Sequence, residues 1–302
     1  MTGLSRYFYS QCPLKGVLRV TGADASDYLQ GQFSNQLKQE GEHPVVYGFW
    51  LSIKGKVEAD SYILKQGEDD YLLVSFGCDE AVLLDKVGQN IIADDVVLEA
   101  VTKQYQVWIT WGDSLEPLLE EQSLALPEPG QCVSSCGGWV FKSKLLRSNN
   151  LVWLLPADQE VSFDKGGAPV PFDAARIGEC VPLVPQDIGP GDLPQEGALE
   201  EAGISLKKGC YLGQVIMMRI HSMGDVKRAL YSVKLAGEVP PLPVALYAGA
   251  RSVGTLRSVA TVGGVTQGLA LLKKSAVKPG AFFSLSPEGE SCVEVLNPVK
   301  PI

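Results

Sequence analysis

Downstream of Gly224 the apolar residues recur every second position, a period that only strands can use. Ala229, Tyr231, Val233 and Leu235 set the pattern, and short runs at 245–247, 253–257, 267–272, 282–285 and 292–296 continue it. Glycine-rich turns and the cluster Pro240, Pro241 and Pro243 separate these runs, and no helical period interrupts them. Six short strands without a helix must close on themselves or stack, so residues 224–302 are expected to form a small barrel or sandwich.

The 223 residues before it mix both periods and are expected to form an α+β body of two related lobes. Residues 16–20 read as a strand, and Ala25, Leu29, Phe33 and Leu37 then recur every fourth position, as on one face of a helix capped by Thr21 or Asp24. Gly31 interrupts that helix, which points to close packing or to a ligand. A hairpin follows, turning at Lys54-Gly55-Lys56 with Asp60 on its second arm, then a strand at 71–76 and a helix at 79–91 with Leu83, Leu84, Val87 and Ile91 inward. A similar order recurs less distinctly: strands at 96–101 and 104–111, a helix at 113–122, and strands at 139–146 and 151–155. Pro182, Pro185, Pro190 and Pro194 then exclude one long helix or a central strand, leaving a stiffened segment with short helices at 173–178 and 195–202.

The segment delivers the chain to Lys207-Lys208-Gly209-Cys210-Tyr211-Leu212-Gly213-Gln214, followed by a helical spacing through Val215, Met218 and Ser222. A thiol just ahead of a helix and beside lysines is a reactive type of cysteine, since dipole and cations both favour the thiolate. Five of the 26 cations but one of the 35 anions lie between Lys207 and Arg228, a positive island in a chain of net charge −9. Such an island raises the local concentration of a small anion.

The acidic balance argues against nucleic acid as a partner, because phosphate binding needs a basic face. No apolar run reaches the roughly 18 residues of a membrane span, and the start of the chain has no signal-peptide core, so a cytoplasmic protein without membrane association is expected. Seven dispersed cysteines suggest reduced thiols. Cys132 and Cys136 have no second pair, and His43 and His221 are the two histidines, so no stable metal is expected.

The run Lys208-Gly209-Cys210-Tyr211-Leu212-Gly213-Gln214 resembles the Lys-Gly-Cys-Tyr-x-Gly-Gln-Glu signature of the folate-binding YgfZ-like branch of the glycine-cleavage T-protein (aminomethyltransferase) superfamily. Val20 to Ala25 with Tyr28 to Gln32, Leu193 to Glu196, Gly254 to Ser258 and Gly268 to Ala270 extend the resemblance over essentially the whole chain. It implies a tetrahydrofolate-binding α+β body of two related lobes followed by a small C-terminal antiparallel β-barrel, and a protein that assists iron–sulfur cluster assembly or repair, with iron–sulfur client or assembly proteins as partners and Cys210 as the functional thiol. The folate ligands it implies are Gln32, Asn35, Lys208, Gly209, Tyr211, Gly213, Gln214 and Arg219. Two positions depart from the pattern. Val215 replaces the signature's final glutamate, removing a carboxylate suited to pterin N–H groups, and the aspartate pair of the aminomethyltransferases reads Ala59-Asp60. Two further readings therefore stand beside the first: a tetrahydrofolate-dependent aminomethyltransferase or demethylase using Asp60, and a non-catalytic scaffold with a decayed folate site.

Overall fold

The structure is a computed structural model that describes residues 7–41, 43–163 and 166–302. After β1 (Tyr7–Cys12) the chain runs through β2 (Gly16–Thr21), α1 (Ala25–Gln32), β3 (Val45–Leu51), β4 (Val57–Lys65), β5 (Asp70–Ser75), α2 (Glu80–Gly88) and β6 (Val97–Ala100). It continues through β7 (Tyr105–Trp111), α3 (Glu116–Glu121), β8 (Cys132–Ser135), β9 (Gly138–Phe141), β10 (Asn150–Pro156), β11 (Gly167–Pro169) and α4 (Phe172–Gly178). The first sheet has the order β3-β4-β5-β2-β6, and the second β8-β9-β10-β7-β1-β11. In each, a three-stranded meander lies beside the strand that opens its lobe. The N-terminal β1 completes the second sheet, so the lobes are intertwined, and the repeat that the sequence leaves faint is plain in the topology.

The two sheets bury a shared core between them, with Tyr62, Leu64, Leu72 and Val74 from one and Val107, Ile109, Phe141 and Val152 from the other. On the outer face of the first sheet, Tyr28 and Leu29 of α1 and Leu83 and Val87 of α2 close a second core. On the outer face of the second sheet, Leu115, Leu118 and Leu119 at α3 close a third with Trp153 and Phe163. Both faces of each sheet are thus covered, which explains why their strands show long apolar runs rather than clean alternation.

After α5 (Glu200–Gly203) and α6 (Gln214–Met223) come β12 (Arg228–Leu235), β13 (Val244–Ala248), β14 (Arg251–Val262), β15 (Val265–Lys273), β16 (Phe282–Ser284) and β17 (Ser291–Pro298). They form a closed barrel in the order β12-β15-β14-β13-β16-β17, antiparallel throughout. All six predicted strands are present. The proline-rich segment ties the barrel to the body through acids: Asp187 accepts from Arg176 at 2.6 Å and from Ser258 of the barrel at 2.6 Å, and Asp192 and Glu196 hold Arg228 at 2.9 and 2.7 Å. Among the described residues no helix is long and apolar enough to cross a membrane.

Several expectations are corrected. The first helix stops at Gln32, because Phe33 turns extended and bridges Trp50 while Ser34 N–H donates to the Phe49 carbonyl; Phe33 and Leu37 therefore lie beyond the helix. Gly31 answers no packing need, since a Cβ there would meet nothing within 4 Å. Leu84 faces outward on α2. The strand expected over 139–146 ends at Phe141, where Ser143 and Asn150 bond to each other and form a turn instead.

Candidate functional site

The signature segment enters α6 through Gly213, and this glycine is held by both conformation and space. Its φ of +84° belongs to the left-handed region, and a Cβ on it would lie 2.7 Å from the Ser52 carbonyl oxygen. Ser52 begins the β3–β4 turn, whose Gly55 lies directly under Ile216 and Met217. The start of α6 is therefore seated on the hairpin. Met217 is fully buried and Ile216 and Ile220 are partly buried, so the inward face differs from the expected one: Val215 is 81% exposed and Met218 is exposed.

Lys208 points into the body. Its ammonium donates to the carbonyls of Gln30 (2.5 Å), Phe33 (2.7 Å) and Asn35 (3.0 Å), and lies 5.1 Å from the centroid of the Tyr211 ring. An ammonium has three donors, and all three are engaged. The carbonyls belong to the end of α1 and the turn after it, where helix geometry leaves acceptors without partners. Lys208 is thus a long-range cap on α1, with the favourable sign for a helix C-terminus. Burial pushes its ammonium down to about 8. Of the positive island, this charge is turned inward.

Asn35 relays the contact onward: its amide donates to the Tyr47 carbonyl at 2.9 Å, and the Tyr47 hydroxyl donates to Asp60 Oδ2 at 2.9 Å. Ser75 donates to Asp60 Oδ1 at 3.0 Å, and the Cys78 thiol lies 3.9 Å from the same oxygen. Strand alternation puts Asp60 with Tyr62 on the inter-sheet side, where it is buried. Burial raises its carboxyl to about 7, against the hydroxyl hydrogen bonds that favour the anion. The carboxyl pushes Tyr47 further above its ordinary range, after burial itself. Tyr47, Ser75 and Cys78 were not singled out from the sequence; only the cross-strand positions of Tyr47 and Tyr62 on the hairpin hint at them.

The candidate residues thus divide. Lys208, Asn35 and Asp60 are linked residue to residue, through the main-chain carbonyls of Asn35 and Tyr47 and the Tyr47 hydroxyl, and Gln214 donates to the Lys208 carbonyl at 3.2 Å. Gln32 accepts instead from Asn90 at 2.7 Å. Cys210 and Gly209 are exposed, as is Arg219 on the outer side of α6. The hydroxyl of Tyr211 is buried without a hydrogen-bond partner, and burial, with Glu200 nearby, pushes it up to about 12. As a folate cradle the fit is partial. Protein contacts occupy Lys208, Asn35, Gln32 and Gln214, and the position of the missing carboxylate carries the exposed Val215; Tyr211 keeps a partnerless but buried hydroxyl, and Arg219 is exposed.

Cys210 lies ahead of α6 in an irregular segment, not in its first turn. Cys12, Cys78 and Cys132 are buried, and burial pushes the thiols of Cys78 and Cys132 up to about 12 and that of Cys12 higher still. Alkylation of the native chain at neutral pH, read by peptide mapping, is expected to modify Cys210 and the other exposed thiol, Cys136, while these three stay protected. Labelling of Cys78 as fast as Cys210 would contradict this. Among the described residues no group of three or more His, Cys, Asp or Glu is placed to hold a metal.

Comparison with known proteins places this arrangement in a lineage. The model of the GCVT N-terminal domain matches residues 15–124, the first lobe and the beginning of the second. The human mitochondrial iron-sulfur cluster assembly factor IBA57 is 26% identical over 296 residues, covering 87% of this chain and 76% of that protein. Fungal homologues are longer, and the chain spans 58% of the one from Aspergillus clavatus. The tRNA-modifying protein YgfZ of Vibrio vulnificus is 26% identical, with 79% of this chain and 73% of that one covered. The glycine cleavage system aminomethyltransferase T of Bartonella henselae shares the fold, with a TM-score of 0.78 over 97% of this chain and 85% of that one at 14% identity. With its intertwined lobes, its barrel and its thiol segment ahead of α6, the chain is similar to the IBA57 and YgfZ proteins and shares the fold of the glycine-cleavage aminomethyltransferase.

Proposed function

We propose that the chain assists iron–sulfur cluster assembly or repair, and that Cys210 is the thiol through which it meets a client or assembly protein. The observation that carries this reading is the contrast within one short segment: Lys208, Tyr211 and Gly213 are buried and fixed, while Cys210 between them is exposed. A thiol held on a pinned loop is available to a partner without the loop having to order on contact. The names of the human and fungal relatives support the cluster-assembly part. Tetrahydrofolate belongs to the same reading as a ligand of Tyr211 and Arg219, with the partial fit described above, and no chemical step is assigned to it.

In cells lacking the chain, the activities of several iron–sulfur enzymes are expected to fall, and to recover with the wild-type chain but not with Cys210→Ser, which keeps the side-chain volume and removes the thiolate. Normal activities without the chain would sink the proposal. Full recovery with Cys210→Ser would leave a scaffold. Folate is tested separately by titrating tetrahydrofolate into wild type, Tyr211→Phe and Arg219→Ala; absence of saturable binding removes the folate part and leaves the thiol part standing.

A second reading, aminomethyl transfer or demethylation with Asp60 as base, is favoured by one observation: burial brings that carboxyl to about 7, near the pH at which a general base works. Its enclosure by Tyr47 and Ser75 weighs against it. Tetrahydrofolate-dependent turnover of an N-methyl or aminomethyl donor, lost in Asp60→Asn, is what this reading requires.

A further inference from the structure

Between the end of α6, the link into β12 and the end of β15 lies an open cavity of about 790 Å³ that also reaches Lys56 on the hairpin. Its apolar floor is Leu193, Ile220 and Val226, and five cations and two acids line it. The acids are already matched. Glu196 holds Arg228 at 2.7 Å, and Asp225 holds Lys274. Of the remaining three cations, Lys273 gives one hydrogen bond to the Ser252 carbonyl at 3.0 Å, while Lys56 and Lys227 have no side-chain partner among the described residues.

Three lysines without carboxylate partners among the described residues therefore line one concavity of a chain whose net charge is −9. The end of α6 contributes the opposing dipole, roughly half a negative charge, which three full charges outweigh. The volume falls within the range of small-molecule sites, and the floor suits a flat apolar body. We infer that this joint between body and barrel binds a small polyanion, at least two adjacent negative charges carried on an apolar ring, with Lys56, Lys227 and Lys273 as its charge ligands. The site is separate from Cys210 and does not depend on the folate reading.

Two probes share that chemistry and differ in the source of charge: ATP without magnesium, and benzene-1,3,5-tricarboxylate. Calorimetric titration of the full chain at low salt is expected to show saturable binding of at least one of them. Lys227→Glu/Lys273→Glu is expected to weaken it by about tenfold or more. The exposed pair Lys103→Glu/Lys234→Glu, an equal change in net charge away from the cavity, is expected to leave it within about twofold. Binding of one probe assigns the charged group as phosphate or carboxylate; binding of both shows that charge and ring suffice. No saturable binding of either at roughly millimolar concentration overturns the inference. So does equal weakening by both variant pairs, which would mark diffuse attraction.

Discussion

Asp60→Asn is expected to make the chain more stable at pH 8 while leaving its stability near pH 4 almost unchanged. In the unfolded chain an aspartate releases its proton near 4, whereas in the fold burial raises Asp60 to about 7. Between these values the unfolded chain has lost a proton that the folded chain retains, so stability falls as pH rises through this window and stays low above it. Integrated over the window, the penalty is at most about 4 kcal/mol. Asparagine carries no charge at any pH and keeps the shape. Its oxygen can accept from one of Tyr47 and Ser75, and its amide can donate to the oxygen of the other hydroxyl. Urea midpoints of both proteins at pH 4.5 and pH 8 check this. A variant less stable than wild type at pH 8 would mean that the two hydroxyl donors hold the anion well enough to offset burial. If the gain is observed, the natural sequence tolerates a destabilising carboxyl at neutral pH, which is what a group kept for function rather than for folding looks like.

How much of this was legible in the sequence depends on which contacts decide each element. The six barrel strands are legible because each needs only a period of two and a turn, and both are local, whereas the closure of the barrel and the full length of β14 (Arg251–Val262) are not. The phase of α6 was not, because Val215, Ile216, Met217 and Met218 are all apolar and offer no polar face to orient the helix. Gly213 seated on the hairpin turn sets the phase instead, and that contact joins positions about 160 residues apart. In the second lobe, β1 carries Ser10 and Gln11, β8 is four residues long, and β11 ends in Pro169 at the edge of its sheet. Strands so short or so polar are recruited by their neighbours and show little signal alone. The site was legible as a segment but not in its roles. Glycine, lysine and tyrosine in a signature read as ligands, while the structure turns Lys208 inward and Gly213 against a neighbouring turn. Asp60 was legible as a lone carboxylate, whereas its raised pKa comes from burial on the inter-sheet side, against the opposing hydrogen bonds of Tyr47 and Ser75.

The inward role of Lys208 gives the largest expected loss. Lys208→Met keeps the length and apolar stem of the side chain and removes only the ammonium, so the packing over Tyr211 is conserved while the three carbonyl contacts disappear. Replacing a buried charge by an apolar group can be neutral when its partners are replaced as well, but these partners are backbone carbonyls and remain. They lie at the end of α1, where water would have to enter a well-packed corner beside Phe33 and Trp50 to reach them. At about 1–3 kcal/mol for each carbonyl left without a donor, offset by relief of the buried charge, the net loss is expected to be roughly 3–5 kcal/mol. Lys208→Arg is not expected to rescue it, because a planar fork cannot reach three carbonyls arranged around a point charge. Denaturant midpoints measure the loss. Proteolysis adds a second readout, since freeing this anchor should expose the 207–213 segment to cleavage at Lys207 before the body unfolds. A loss below about 1 kcal/mol would mean that the end of α1 finds other donors and that the signature lysine is free to face a ligand.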